Sequence, residues 1–200
     1  MDRDRRAGFF LESGASFSPA RSRDIRYLRD RADIEDCIQR YCRGADRLDR
    51  ELLCSAYHPD ATDDRGAGFT GSPAQFADWL FPHLRTLDGT SHTVCNTLSD
   101  IDGDTAHAES YVIFSVWRHP REGDEGFASM GTARYLDRLE RRDGRWGIVH
   151  RECMVDMTFR APVGVPMPGG LLGARDRTDR AYARPLAPTH EARQRLQQQG

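Results

Sequence analysis

Two Asp-Gly dipeptides in the second half of the chain, Asp102-Gly103 and Asp143-Gly144, do most to limit what it can fold into. Each lies between runs rich in β-branched and aromatic residues, and Asp-Gly supplies the positive backbone angles that a tight hairpin needs. With the loop His119-Pro120-Arg121-Glu122-Gly123-Asp124-Glu125-Gly126, they predict four successive strands over 90–99, 105–117, 127–140 and 146–159. Before Gly89 the spacing is helical. Ile34, Cys37, Ile38, Tyr41, Ala45 and Leu48 recur at three and four residues, predicting a helix over 30–48. A short second helix is predicted over 50–57, ended by His58-Pro59 because a residue before proline avoids the helical region. Residues 61–71 read as a short irregular hairpin. Ser72-Pro73 opens a third helix with Phe76, Leu80, Leu84 and Leu87 as its buried stripe. Helices first and an antiparallel meander afterwards give the α+β class. No βαβ alternation and no glycine-rich phosphate loop is present, which argues against a nucleotide-binding fold.

Composition narrows the chemistry. The 200 residues suffice for one domain with its own core. The organisation expected is an extension over 1–23, a domain over 24–160, and a tail over 161–200 that is first Pro/Gly-rich and then polar. Arg plus Lys number 29 and Asp plus Glu 31, so no basic excess points to nucleic acid. Every one of the 29 is Arg, which excludes Schiff-base lysines and the phosphate-loop lysine. The five cysteines at 37, 42, 54, 95 and 153 include no CxxC, and neither they nor the histidines show metal-ligand spacing. No apolar run approaches the roughly 20 residues that span a bilayer. The expectation is a reduced, cytoplasmic protein with no metal and no membrane partner.

Among polar residues, His92 and Asp46 stand out. His92 lies near the start of the first strand and Asp46 near the end of the first helix, where the helix dipole disfavours an anion. An imidazole held by a carboxylate is a proton acceptor near neutral pH. The residues alone favour a structural histidine at a strand start for His92 and also allow Asp46 to be a solvated carboxylate. Tyr41 lies close to the face of Asp46 and could hydrogen-bond an oxygen or simply pack in the core. Trp79, Phe76 and Leu80 could wall a cavity or belong to ordinary core.

Three stretches together carry a family likeness: Arg40-Tyr41-Cys42-Arg43-Gly44-Ala45-Asp46-Arg47, then Tyr57-His58-Pro59-Asp60-Ala61, and Arg142-Asp143-Gly144-Arg145-Trp146 through Arg151-Glu152-Cys153. The chain resembles, over about residues 28 to 160, the SnoaL-like branch of the NTF2-like superfamily, which includes scytalone dehydratase, bile-acid 7α-dehydratase and hexachlorocyclohexane dehydrochlorinase. The resemblance implies a cone: a strongly curved antiparallel sheet wrapped around the N-terminal helices, with an apolar pocket at its open end. It implies a cofactor-independent lyase or isomerase acting on a small, apolar, cyclic carbonyl compound. His92 would take the proton, Asp46 would orient it, and Tyr41 with Arg151 would handle the oxygen or leaving group. Trp79, Phe76, Leu80, Val112 and Phe114 would bind substrate. Val112-Ile113-Phe114-Ser115 lacks the further acid of the bile-acid enzymes, which points away from a bile-acid substrate. The fold also hosts non-catalytic binding or assembly modules and small subunits of ring-hydroxylating dioxygenases. A homodimer or homotrimer is expected by the same resemblance, and separately the Pro/Gly-rich stretch after Arg160 is expected to fold over the pocket mouth.

Overall fold

The computed structural model describes residues 25–163, 170–190, 194, 197 and 198. The expected extension over 1–23, the centre of the Pro/Gly-rich stretch and most of the last ten residues of the tail lie outside the described residues. Two helices come first, α1 (Ile25–Asp46) and α2 (Arg50–Cys54), and a third, α3 (Pro73–Leu84), follows the first two strands. Six strands, β1 (Tyr57–Asp64), β2 (Thr70–Gly71), β3 (Gly89–Asp102), β4 (Thr105–Arg118), β5 (Phe127–Arg142) and β6 (Arg145–Ala161), form one open, curved sheet in the order β2-β1-β6-β5-β4-β3. This is the α+β architecture the meander implied.

The four long strands begin and end close to where the turn dipeptides place them. Gly103 and Gly144 both take positive φ, at 60° and 77°, and Asp143 joins its glycine at 52°. Only glycine takes the glycine angles without steric cost, so the two hairpins are set locally. Register shifts between Val94 and Thr97, between Thr132 and Ala133, and between Arg138 and Leu139 mark irregularities of the kind that bend a strand.

Helix α1 lies across the concave face. Ile34, Cys37, Ile38, Tyr41 and Ala45 of the predicted stripe are buried there together with Cys42, whereas Leu48 lies past the helix end and is only partly buried. It packs mainly against α2, β3 and β6. A Cβ at Gly44 would come within 2.4 Å of the Leu53 backbone nitrogen, so only glycine lets α1 and α2 approach this closely. Ser72 caps α3 in a reciprocal capping box with Gln75, and Pro73 takes the first turn, where its missing N–H costs nothing.

The helix ends differ from expectation, and α1 stops at Asp46, not Leu48. Helix α2 stops at Cys54, not Tyr57. Ser55 turns its hydroxyl back to the Leu52 carbonyl, the following proline disfavours helix at His58, and Tyr57 and His58 are recruited into β1. That strand runs parallel to β6 and pairs antiparallel with the two-residue β2, so the sheet is antiparallel except for the β1–β6 contact. No helix of the described residues is long and apolar enough to cross a membrane.

Candidate active site

The last turn of α1 and the start of β3 meet at the open edge of the sheet. Asp46 ends the helix and His92 lies on the inner face of β3. The His92 ring nitrogen Nδ1 is 2.7 Å from Asp46 Oδ1. The same carboxylate accepts the His92 backbone N–H at 3.0 Å and the Thr90 hydroxyl at 3.1 Å. Three donors converge on one carboxylate, so Asp46 can only be an acceptor and Nδ1 carries the proton toward it. That assigns the tautomer with Nε2 as the free basic atom. Among the described residues, Nε2 has no hydrogen-bond partner. Both side chains are mostly covered, at 17% and 15% exposure.

The pair opens on a cavity of about 340 Å³ lined by Gln39, Cys42, Arg43, Asp46, Arg47, His92 and Val94. This cavity is polar, not the apolar hollow that the resemblance implied. The reason lies in the helix: residues 39, 43 and 46 form the flank of α1 that turns away from the core, Arg47 follows directly on its end, and β3 is the edge strand beside it. Cys42 and Val94 are its contacts with the core side.

The other expected site residues lie elsewhere. Arg151 is fully buried and gives a two-pronged hydrogen bond to Asp137, with both N···O distances at 2.7 Å. Its guanidinium carbon sits 4.3 Å from the Tyr41 ring centre and 4.2 Å from that of Tyr135. The Tyr41 hydroxyl accepts from Arg65 at 2.7 Å; Arg65 also binds Asp63, which accepts the Tyr57 hydroxyl at 2.5 Å. Tyr41 and Arg151 therefore belong to a buried ionic layer and do not line the cavity of the pair. The sheet explains the layer: Arg151 on β6 stands opposite Asp137 on β5 and Asp63 on β1. Burial opposes the Arg151 cation, but Asp137 and the nearby Tyr57 and Tyr41 more than offset it and hold the guanidinium above the usual arginine range. Burial likewise pushes Tyr41 well above the usual phenol range. One guanidinium nitrogen of Arg151, Nη1, is buried without a partner among the described residues.

Of the residues expected to bind substrate, Phe76 is buried and stacks on Tyr41 with ring centres 6.2 Å apart, and Val112 is core. Leu80 packs at the edge of the core. Trp79 is 49% exposed and belongs to an outer aromatic group with Phe69 and Phe76. Phe114, directly opposite His92 in the sheet, is the nearest of the five in register. None of them lines the cavity of the pair, because helix α3 and the middle of β4 face the sealed part of the core.

Cys42 stands between the two groups. Burial pushes its thiol up to about 12, with Arg151 acting in the opposite sense and Asp46 reinforcing the rise. Burial also pushes Cys37 up to about 11. Thiolates, not thiols, are the species that alkylate. Iodoacetamide at about pH 8 should therefore label exposed Cys95 first and leave Cys37 and Cys42 unmodified until the protein unfolds, as peptide mass spectrometry would read. Early labelling of Cys42 would show that the cavity opens deeper than its geometry indicates.

Sequence reading passed over Thr90, Arg65, Asp63, Asp137 and Arg175. Thr90 had a usable signal, since it lies two residues before His92 and so shares its face of the strand. Arg175 had none.

A family model described as a SnoaL-like domain matches residues 26–152. Solved structures share the fold at low identity. A protein from Kribbella flavida is 20% identical with a TM-score of 0.60, covering 66% of this chain and 94% of that one. A type 2 hexachlorocyclohexane dehydrochlorinase is 22% identical with a TM-score of 0.61, covering 71% and 96%. A type 3 hexachlorocyclohexane dehydrochlorinase from Novosphingobium barchaimii is 20% identical with a TM-score of 0.60, covering 70% and 96%. None of the curated proteins compared with the chain matches it.

Proposed function

Because the chain belongs to the SnoaL-like domain family, we propose that it is a cofactor-independent lyase of the dehydratase kind, in which His92 is the base that takes a proton from carbon. The observation that carries this reading is the hydrogen bonding of Asp46: three donors occupy one carboxylate, the Nδ1 proton points at it, and Nε2 is left beside a cavity.

In this reading a small carbonyl compound enters with its acidic C–H facing Nε2. The imidazole takes that proton, the electron pair left on carbon forms the new double bond, and the bond from the adjacent carbon to the leaving oxygen breaks. The imidazolium, stabilised by Asp46, gives the same proton to the departing hydroxide, and water leaves. Isomerisation uses the same parts, with the proton returned to a different carbon. Arg43 and Arg47, on the cavity wall, are the cations placed to meet an enolate or departing anion. Tyr41 and Arg151 act only from behind Cys42, as a fixed wall of the buried layer in which each arginine is paired with an aspartate. A cavity of about 340 Å³ suits a small substrate. A homodimer or homotrimer built on the outer sheet face and a cytoplasmic location complete the reading.

The test is a panel of small β-hydroxy and β-halo carbonyl compounds assayed with the unaltered protein and with Asp46→Asn. The asparagine side chain can present its amide N–H to Nδ1 and favour the wrong tautomer, so turnover should fall about 100-fold while the fold is kept. Product composition separates the two chemistries: isomerisation yields a product of unchanged mass, whereas elimination yields water or halide and the unsaturated product. Unchanged turnover in Asp46→Asn would remove the pair from the mechanism. A second reading, a binding module without chemistry, is favoured by the engagement of Tyr41 and Arg151 with core partners; a panel compound that binds in the cavity and is never converted would establish it.

A further inference from the structure

The described part of the C-terminal segment returns to the pair. Arg175 donates from Nε to the Asp46 carbonyl at 3.2 Å, from Nη1 to the Leu84 and Leu87 carbonyls at 2.6 and 3.2 Å, and from Nη2 to the Thr90 hydroxyl oxygen at 3.2 Å. The first two carbonyl groups belong to the ends of α1 and α3, where helical carbonyls lack partners and a cation is favoured. One guanidinium thus ties two helix ends to the first residues of β3. Its contact with Thr90 has a further effect. A hydroxyl has one proton and two lone pairs; with a lone pair taken by Arg175, its proton is directed onto Asp46 Oδ1. Thr90 is only 4% exposed, so little water can compete for that rotor.

We propose that Arg175 is a positioning residue for the His92–Asp46 pair, acting through the Thr90 hydroxyl and the Asp46 carbonyl. This rests on the pair being the reactive centre, but it concerns the geometry of the pair and can be tested without a substrate. Other contacts hold the same segment in place. Arg177 pairs with Asp49 at 3.0 Å, Asp179 lies 3.8 Å from Arg47, and the Tyr182 ring sits 4.9 Å from the Arg43 guanidinium carbon. The segment therefore stays docked when Arg175 alone is changed. Its role can be separated from that of the strap as a whole.

The experiment follows the His92 Nδ1 proton by NMR, assigned by its loss in His92→Asn. Held by Asp46 in a covered site, this proton exchanges slowly with water in the unaltered protein. In Arg175→Gln its exchange should speed up about ten-fold, because Asp46 loses an aligned donor and the helix end loosens. Thr90→Val, which leaves every strap contact except the one to its hydroxyl, should give a similar increase. Arg177→Gln, which loosens the strap away from the pair, should stay within about two-fold of the unaltered protein. Thermal midpoints of all four proteins show which variants remain folded, and Thr90→Val carries the test should Arg175→Gln unfold. Unchanged exchange in Thr90→Val, or an equal increase in Arg177→Gln, overturns the role of Arg175 and leaves the pair standing. Absence of a slow Nδ1 proton from the unaltered protein overturns the pair itself and this role with it.

Discussion

Replacing His92 with alanine should lower turnover about 10²- to 10⁴-fold with little loss of stability, the usual contribution of a positioned general base. Among the described residues of the cavity wall, the variant removes the only group whose free atom is a neutral base. Gln39, Arg43 and Arg47 are donors or permanent cations under ordinary conditions, and Cys42 is held as a thiol because burial pushes it up to about 12. Asp46 is a carboxylate, but three donors occupy it. The alanine keeps its backbone N–H on Asp46, so removal of the ring frees one acceptor site and leaves the carboxylate behind the vacated space. Stability should change little because the ring is partly covered and contacts the pair, not the main core. The check is kcat and KM on whichever panel compound is converted, alongside a thermal melt. A folded His92→Ala protein with full kcat would end the assignment of a base to this position.

Replacing Asp137 with alanine should cost about 3–5 kcal/mol of folding stability, because it leaves a fully buried guanidinium without its two-pronged partner. The Arg151–Asp137 pair has no exposure on either side, so no water can take the place of the lost carboxylate. Native domains carry only about 5–15 kcal/mol in total, so the loss takes a large share of the margin. Arg151 already has one unpartnered nitrogen, and two tyrosine faces cannot replace a carboxylate charge. Joint replacement, Asp137→Leu with Arg151→Met, should recover most of that loss, since a hydrophobic pair avoids burying charge at all. Urea titration reads both effects: the midpoint falls for Asp137→Ala at constant slope and recovers in the double variant. A drop below about 1 kcal/mol for Asp137→Ala would show that water reaches Arg151 and that the layer is less sealed than its geometry indicates.

The two predictions separate the groups that the sequence had placed in one site. His92 and Asp46 meet, while Tyr41 and Arg151 pair with a different set of partners one layer deeper. Tyr41 illustrates why. Five residues from Asp46 on a helix is about 500° of rotation, which leaves the two side chains roughly 140° apart. Tyr41 faces the buried stripe, and Asp46 faces the flank that meets β3. The helical wheel permits both to border one hollow only if the hollow wraps around the helix. Whether it does depends on the packing of α1 against the sheet.

The order of elements was open to inspection in the chain because its determinants are local: apolar spacing in α1, Ser72-Pro73 at α3, and the glycine turns at 103 and 144. The end of α2 was not, because Tyr57 gains a strand partner, Ile148, that lies 91 residues away in sequence. The side-chain partnerships were hidden for the same reason. Asp137 meets Arg151 by the register of two strands, and Arg175 reaches Asp46 across 129 residues. Local propensity and turn chemistry act within a few residues and are written in the sequence. Charge pairing, burial and the lining of a cavity depend on which faces are brought together, and only the packed tertiary structure decides that.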